Sequence, residues 1–499
     1  MKRLLFLTLT LFSLNIARCQ NSVMQRPNLV VGIVVDQMRW DYLSAYESKF
    51  GNGGFRRLMR EGCNYDNTMI NYIPTVTACG HSSIYTGSTP AITGIAGNDF
   101  YIKGKRTYCT DDTVRTVGSL TKAGMMSPRH LLVTTMCDAL RLATDFRSKV
   151  VSISLKDRGA ILPAGHTANA AYWYDNMNHS FITSTYYMQA LPEWVNEFNR
   201  THKSVDGRDI RYLPDGNTLT ARMAMAAIDG EQLGQKNETD FLAVSFSATD
   251  YIGHKYGTKA PQTEEAYVKL DKDIAVLLNC LDEKIGKGNY LLFLTADHGA
   301  SHNARYLLSK GIPAGEWDEE IERKKMNEYL QKVYGAKDMV KDIIEYRLYL
   351  NDDAIKAVGV KKEDVETVLC DYLNSDERIA YALSYAAASI QPIPAAIRDR
   401  IIMGYNPKRS GDIVLIPATG YYKYGSDSFN TGTTHGVWNP YDSHIPLIFF
   451  GWNVSPGHNI EECHVTDIAP TVCAMLHIQQ PNGCVGKCLP MVILNTDKE

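Results

Sequence analysis

The sequence predicts an α/β domain: a doubly wound, mostly parallel central sheet with helices on both faces, enlarged by cap insertions. Three observations carry this. Several short runs are apolar on both faces and rich in β-branched residues, as strands inside a parallel sheet are. A long amphipathic helix lies between two of them. Asp and His residues sit beside the runs, where α/β sheets bind their ligands.

The runs come in order along the chain. Residues 29–35 read LVVGIVV, 241–246 FLAVSF, 290–295 YLLFLT and 446–450 PLIFF. Residues 149–155 (KVVSISL) form a weaker fifth candidate. The helix covers residues 261–281. It opens with Pro261, carries Glu264 and Glu265 in its first turn, and lines Tyr267, Leu270, Ile274, Leu277, Leu278 and Leu281 along one face. Pro and acidic residues suit a helix N-terminus, and the apolar stripe needs a sheet to cover it.

Two stretches break this rhythm. Residues 163–220 are rich in Tyr, Asn and Thr. Residues 301–430 hold a charged helix near 316–333 and a turn-rich piece from about 405. Both are predicted to be insertions capping the sheet. No repeat or low-complexity linker divides the chain, so residues 27–495 read as one catalytic domain.

The first 19 residues read differently. Lys2 and Arg3 precede an uncharged run, residues 4–16, with small residues near Ala17. That run is too short for a bilayer and has the order of a secretory signal peptide. Cleavage after Ala17 or Cys19 is expected, giving a periplasmic or secreted protein with no membrane span. Export would put the ten remaining cysteines in an oxidising compartment. Cys463/Cys473 and Cys484/Cys488 are close enough in sequence to pair, and spacing alone leaves the pairing open.

The composition is that of a globular protein. Of 499 residues 44% are hydrophobic and 21% charged, which excludes collagenous, disordered and polytopic membrane classes. A net charge of -3 gives no electrostatic attraction to nucleic acid or an anionic membrane.

The chemistry lies beside the strands. Asp36 follows the first run directly. Asp250 follows the FLAVSF run, with His254 one helical turn later. Asp297 and His298 follow YLLFLT, and His435 precedes the last run. Imidazole and carboxylate are ligands that zinc favours. A lone Asp is ordinarily a turn or cap, and a lone His a core residue. Six such residues at strand ends point jointly to a metal centre.

A further segment reads Pro74-Thr75-Val76-Thr77-Ala78-Cys79-Gly80-His81, and Asn98 lies 21 residues beyond Thr77. With Val-Val-Asp-Gln-Met-Arg at 34–39, Asp250-x-x-x-His254, Ala-Asp-His-Gly at 296–299, Thr-His-Gly at 434–436 and the late segment 466–471, the chain resembles the alkaline phosphatase superfamily. It is most similar to secreted bacterial phosphomonoesterases with a threonine nucleophile, which are relatives of nucleotide pyrophosphatase/phosphodiesterases.

The resemblance implies two zinc ions. Asp36, Thr77, Asp297 and His298 would hold one, and Asp250, His254 and His435 the other. Thr77 would be the nucleophile. Thr75 competes with it, and His444 competes with His435. His81 and His302 are expected to support the site. Asn98, Lys156 and Arg158 would grip the phosphate, the last two marking a doubly charged terminal phosphate. The implied substrates are small-molecule phosphate monoesters, cleaved through a phospho-threonine. The alternative is a phosphodiesterase or nucleotide pyrophosphatase on the same scaffold. A sulfatase is disfavoured because no Cys-x-Pro-x-Arg is present. A secreted binding protein with a structural metal is the non-enzymatic reading.

Overall fold

A computed structural model describes residues 26–202, 207–423 and 431–490. The expected signal peptide and the last residues of the expected domain lie outside these. No helix among the described residues is long and apolar enough to cross a membrane.

Ten strands form the central sheet: β1 (Leu29–Val35), β2 (Cys63–Tyr65), β3 (Thr116–Val117), β4 (Val150–Ser154), β5 (Ala170–Asp175), β6 (Ser180–Ser184), β7 (Asp240–Phe246), β8 (Tyr290–Thr295), β9 (Leu447–Gly451) and β10 (Gly457–Asn459). Their order is β10-β2-β9-β8-β1-β7-β4-β5-β6-β3. The five from β8 to β5 are parallel. Strands β1, β7 and β8 are buried at every position, which accounts for their unbroken apolar runs.

Helices cover the sheet. The helices used below are α1 (Thr77–Thr86), α2 (Asp157–Ala164), α3 (Asp215–Glu231), α4 (Ala248–Tyr256) and α5 (Pro261–Leu281). Helix α5 has the predicted bounds, and its stripe from Tyr267 to Leu281 is buried in the main core.

The sheet corrects two expectations. The last apolar run, β9, is antiparallel to β8. Strand direction leaves no mark in an apolar run, so the sequence could not show it. The consequence is favourable, because an antiparallel strand begins at the edge where its parallel neighbours end. The second correction concerns residues 163–220. They do not cap the sheet. They supply β5 and β6 within it, and α3 packs on it. Tyr172, Trp173 and Tyr174 fill the interior there, so the aromatic content marked a buried strand.

Residues 301–423 carry a sheet apart from the central one. Strands Val340–Ile344, Arg347–Leu350, Ile379–Ser384 and Ile413–Pro417 make a four-stranded antiparallel sheet. It has its own core around Trp317, Leu330, Leu348 and Leu369. The charged helix spans Glu319–Tyr334. All ten cysteines of the described residues are free thiols, including the Cys463/Cys473 and Cys484/Cys488 pairs whose state the spacing left open.

Candidate metal centre and nucleophile

Strand register lines up the site. Val34 of β1 stands level with Ser245 of β7 and Thr295 of β8, and Ser245 stands level with Ser154 of β4. Two residues past this row lie Asp36, Lys156 and Asp297. Three elements far apart in sequence thus deliver two carboxylates and an ammonium to one place. Asp250 arrives in the first turn of α4, and His254 lies one turn on.

The side chains gather into two groups, each able to hold a metal ion: Asp36, Asp297 and His298, and Asp250, His254 and His435. Within each group the ligand atoms all lie within 4.8 Å of one another. The stacked rings of His298 and His435, 3.5 Å between centroids, join the groups.

Backbone carbonyls set the imidazoles. Nδ1 lies 2.8 Å from Thr433 O in His254, 3.0 Å from Gly299 O in His298 and 2.8 Å from Thr75 O in His435. A carbonyl can only accept, so each Nδ1 carries a proton and each Nε2 is the ring atom turned to the centre. Burial lowers the pKa of His298. It also lowers that of His435, reinforced by His298 and His254. Both are thereby held neutral, the form that binds a metal.

The carboxylates are left wanting a cation. Asp36 Oδ1 and Asp297 Oδ2 are buried without a hydrogen-bond partner. Burial, with Asp297 nearby, pushes Asp36 well above the ordinary carboxylate range. Burial would also raise Asp250 and Asp297. His254 and Lys156 outweigh it at Asp250, and His298 and His81 at Asp297, so both are lowered. Unpaired buried carboxylate oxygens beside neutral imidazoles fit divalent cations of the zinc type.

Thr77 opens α1, and its Oγ1 lies 3.4 Å from His298 Nε2 and 3.4 Å from Lys156 Nζ. Thr75 is committed elsewhere, its hydroxyl donating to Val437 O at 2.7 Å. His444 is also outside both groups. It stacks on Trp40 and meets Asp66 O. His81 bridges Thr77 O and Ser245 Oγ and lies 3.3 Å from Asp297, whereas His302 meets Thr258 Oγ1 and touches neither group.

The motif glycine Gly80 has a plain physical reason. A Cβ there would lie 2.3 Å from Asp297 O and 2.5 Å from Asp297 Cβ. Helix α1 therefore rests directly on the loop carrying Asp297 and His298.

Lys156 is buried, not on a solvated face. Its Nζ lies 2.7 Å from Asp36 Oδ2 and 2.6 Å from Asp250 Oδ2, one carboxylate from each group. Burial opposes its charge, but Asp250 and Asp36 raise its pKa, so it stays an ammonium. Arg158 donates to Tyr108 OH at 2.9 Å, while its buried Nε has no partner. Asn98 Oδ1 accepts from Ala78 N at 3.1 Å, beside Thr77, which leaves its NH2 group for a ligand.

Four residues were missed by sequence reasoning. Gln37, at φ +63, donates through its backbone N to Asp297 and through Nε2 to Asp250. Arg39 pairs with Asp41 and donates to Ala300 O, holding the Asp297 loop. Both lie in the Asp-Gln-Met-Arg motif, which was the available signal. Tyr251 lies under Lys156 Nζ, 5.1 Å from its ring centroid. Glu345 reaches Asn98 N at 3.1 Å from the cap, with no motif to mark it.

A family model described as type I phosphodiesterase / nucleotide pyrophosphatase matches residues 30–438. The chain belongs to this family. Within the phosphodiesterase family it is 45% identical to alkaline phosphatase PhoV of Synechococcus elongatus, over 93% of this chain and 92% of that protein. It is also 45% identical to a Myroides odoratus protein named calcium-transporting ATPase, over 93% and 94%. Alkaline phosphatase PafA of Elizabethkingia meningoseptica is 44% identical over 95% and 96%. The PafA crystal structure superposes with a TM-score of 0.91, covering 95% of this chain and all of that one.

Proposed function

We propose that the protein is a metal-dependent phosphomonoesterase of the alkaline phosphatase type. It would release inorganic phosphate from small-molecule monoesters through a phospho-threonine at Thr77. The observation carrying this is the hydroxyl of Thr77 set between His298 and Lys156, at the seam of two ligand groups. The names of PhoV and PafA support the same activity.

We assign Asp36, Asp297 and His298, with Thr77, to one zinc ion, and Asp250, His254 and His435 to a second. Bound there, such ions would lower the pKa of a coordinated hydroxyl or water and stabilise negative charge on oxygen. The protein's own residues do the rest. The start of α1 fixes Thr77 on its target, and the helix N-terminus favours the anion in front of it. The NH2 of Asn98 and the free Nε of Arg158 supply donors for non-bridging oxygens. Lys156 adds a point charge where the transferred group carries most of its own. Burial excludes water and strengthens each of these interactions.

Lys156 and Arg158 also decide the substrate class. A monoester presents a dianionic phosphate and a diester only a monoanion. The ammonium of Lys156 beside Thr77, with Arg158 two residues further on, favours the dianion. The second reading, a phosphodiesterase or nucleotide pyrophosphatase, is favoured by the family description alone. Purified protein assayed with aryl phosphate monoester, diester and sulfate, with and without chelator, separates these. A diester rate far above the monoester rate would overturn the assignment. The basic, then apolar, start of the chain supports a periplasmic or secreted location.

A further inference from the structure

Residues 95–99 carry Asn98 but belong to the catalytic body, and what fixes them comes from the cap. Strands Val340–Ile344 and Arg347–Leu350 form a hairpin whose tip is Glu345-Tyr346. Both tip residues have positive φ, +51° and +62°. Tight hairpin turns of this kind ordinarily use Asn and Gly. Bulky residues there are strained and persist only where the surroundings hold them.

Tyr346 is held within the cap by Glu319 and Lys423, and Glu345 by the Asn98 loop. Glu345 Oε1 accepts from Asn98 N at 3.1 Å. Glu345 Oε2 pairs with Arg347 Nη2 at 2.8 Å. Arg347 is 1% exposed and spends its donors on Ala96 O, on Asp99 O at 3.1 Å and on Ile344 O at 3.2 Å. Between these anchors lies Gly97. A Cβ there would stand 2.2 Å from both Arg347 Nη2 and Glu345 Oε2. The carboxylate and guanidinium thus hold three backbone groups around Asn98: Ala96 O, Asn98 N and Asp99 O. On its other side Asn98 is held by Ala78 N, next to Thr77.

We infer that Glu345 and Arg347 are positioning residues that act through Asn98, so that the cap sets the aim of a phosphate donor in the catalytic body. This rests on the reading of Asn98 as a phosphate ligand. An ion pair buried merely for stability would not need to close on both flanks of one loop residue. A donor displaced by a fraction of an ångström loses much of its worth in the transition state.

A double-mutant cycle tests it. Glu345→Ala, Asn98→Ala and the double variant are compared for kcat/KM on an aryl phosphate monoester, with melting temperature and metal content for each. Glu345→Ala is expected to lose about tenfold alone and less than twofold when Asn98 is already Ala. Equal losses in both backgrounds overturn the inference. Glu345→Asp keeps the charge for Arg347 and withdraws the acceptor from Asn98 by one methylene. It gives the same cycle if the alanine variant does not fold, and additive losses there overturn the inference equally. Glu345→Gln keeps an acceptor for Asn98 N and is expected to stay within about threefold of wild type; a loss as large as that of Glu345→Ala counts against the clamp. The wild-type monoester rate tests the phosphatase reading separately, because the cycle compares ratios and not absolute rates.

Discussion

The ammonium of Lys156 lies 3.4 Å from the hydroxyl of Thr77, and it touches one carboxylate of each ligand group. A cation in that position would meet a phosphoryl group attacked by Thr77, as proposed above. Its neighbour Arg158 keeps an unpartnered Nε. Arg158→Ala should therefore lower kcat/KM for an aryl monoester by about a hundredfold and leave the diester within about threefold. Steady-state rates on the two substrates check this. Equal losses would show that the pair does not read phosphate charge.

The division of ligands makes a prediction about metal. His254→Ala and His435→Ala should each remove about one ion per chain, and the double variant should remove no more, because both serve the same group. Elemental analysis of the dialysed variants measures this. Loss of all metal from either single variant would show one shared centre in place of two.

Gly80 tests the contact between α1 and the Asp297 loop. Gly80→Ala puts a methyl on Asp297, and overpacking of this kind costs about 1–3 kcal/mol. The variant should melt lower and bind the ion of the Asp36, Asp297 and His298 group more weakly. A melting temperature equal to wild type would mean that helix and loop separate easily.

One buried carboxyl far from the chemistry predicts a pH effect on stability. Burial raises Asp273 to about 6, although Thr218 Oγ1 donates to it at 2.8 Å. A raised folded-state value means that the folded chain binds the proton more tightly. Stability therefore falls as pH rises from the ordinary carboxylate value through about 6. Asp273→Asn should stabilise the protein by about 1–2 kcal/mol at neutral pH and by almost nothing near pH ~4. Thermal melts at the two pH values check this, and an equal gain at both would contradict it.

Much of this was legible in the sequence because burial on both faces forces apolar runs, and register then aligns the residues that follow them. Asp36 and Asp297 were identifiable for that reason, whereas Lys156 was marked only by the family resemblance. The grouping of His435 with Asp250 came from the family resemblance alone, and the antiparallel direction of β9, which no residue encodes, was not legible. Strands β5 and β6 were hidden because Tyr, Thr and Ser serve a buried strand when their hydroxyls find partners, as Thr183 does at Ala171 O. The Glu345 contact with Asn98 spans 247 positions and depends on how the cap docks, which local pattern cannot reveal.

The central claim is that Thr77 carries the phosphoryl group. The direct measurement is kcat/KM of Thr77→Ala on an aryl phosphate monoester, with folding checked by melting temperature and the variant assayed in excess metal. A loss of at least about a thousandfold is predicted, since nothing else in the site replaces a coordinated hydroxyl. Turnover equal to wild type would contradict the account.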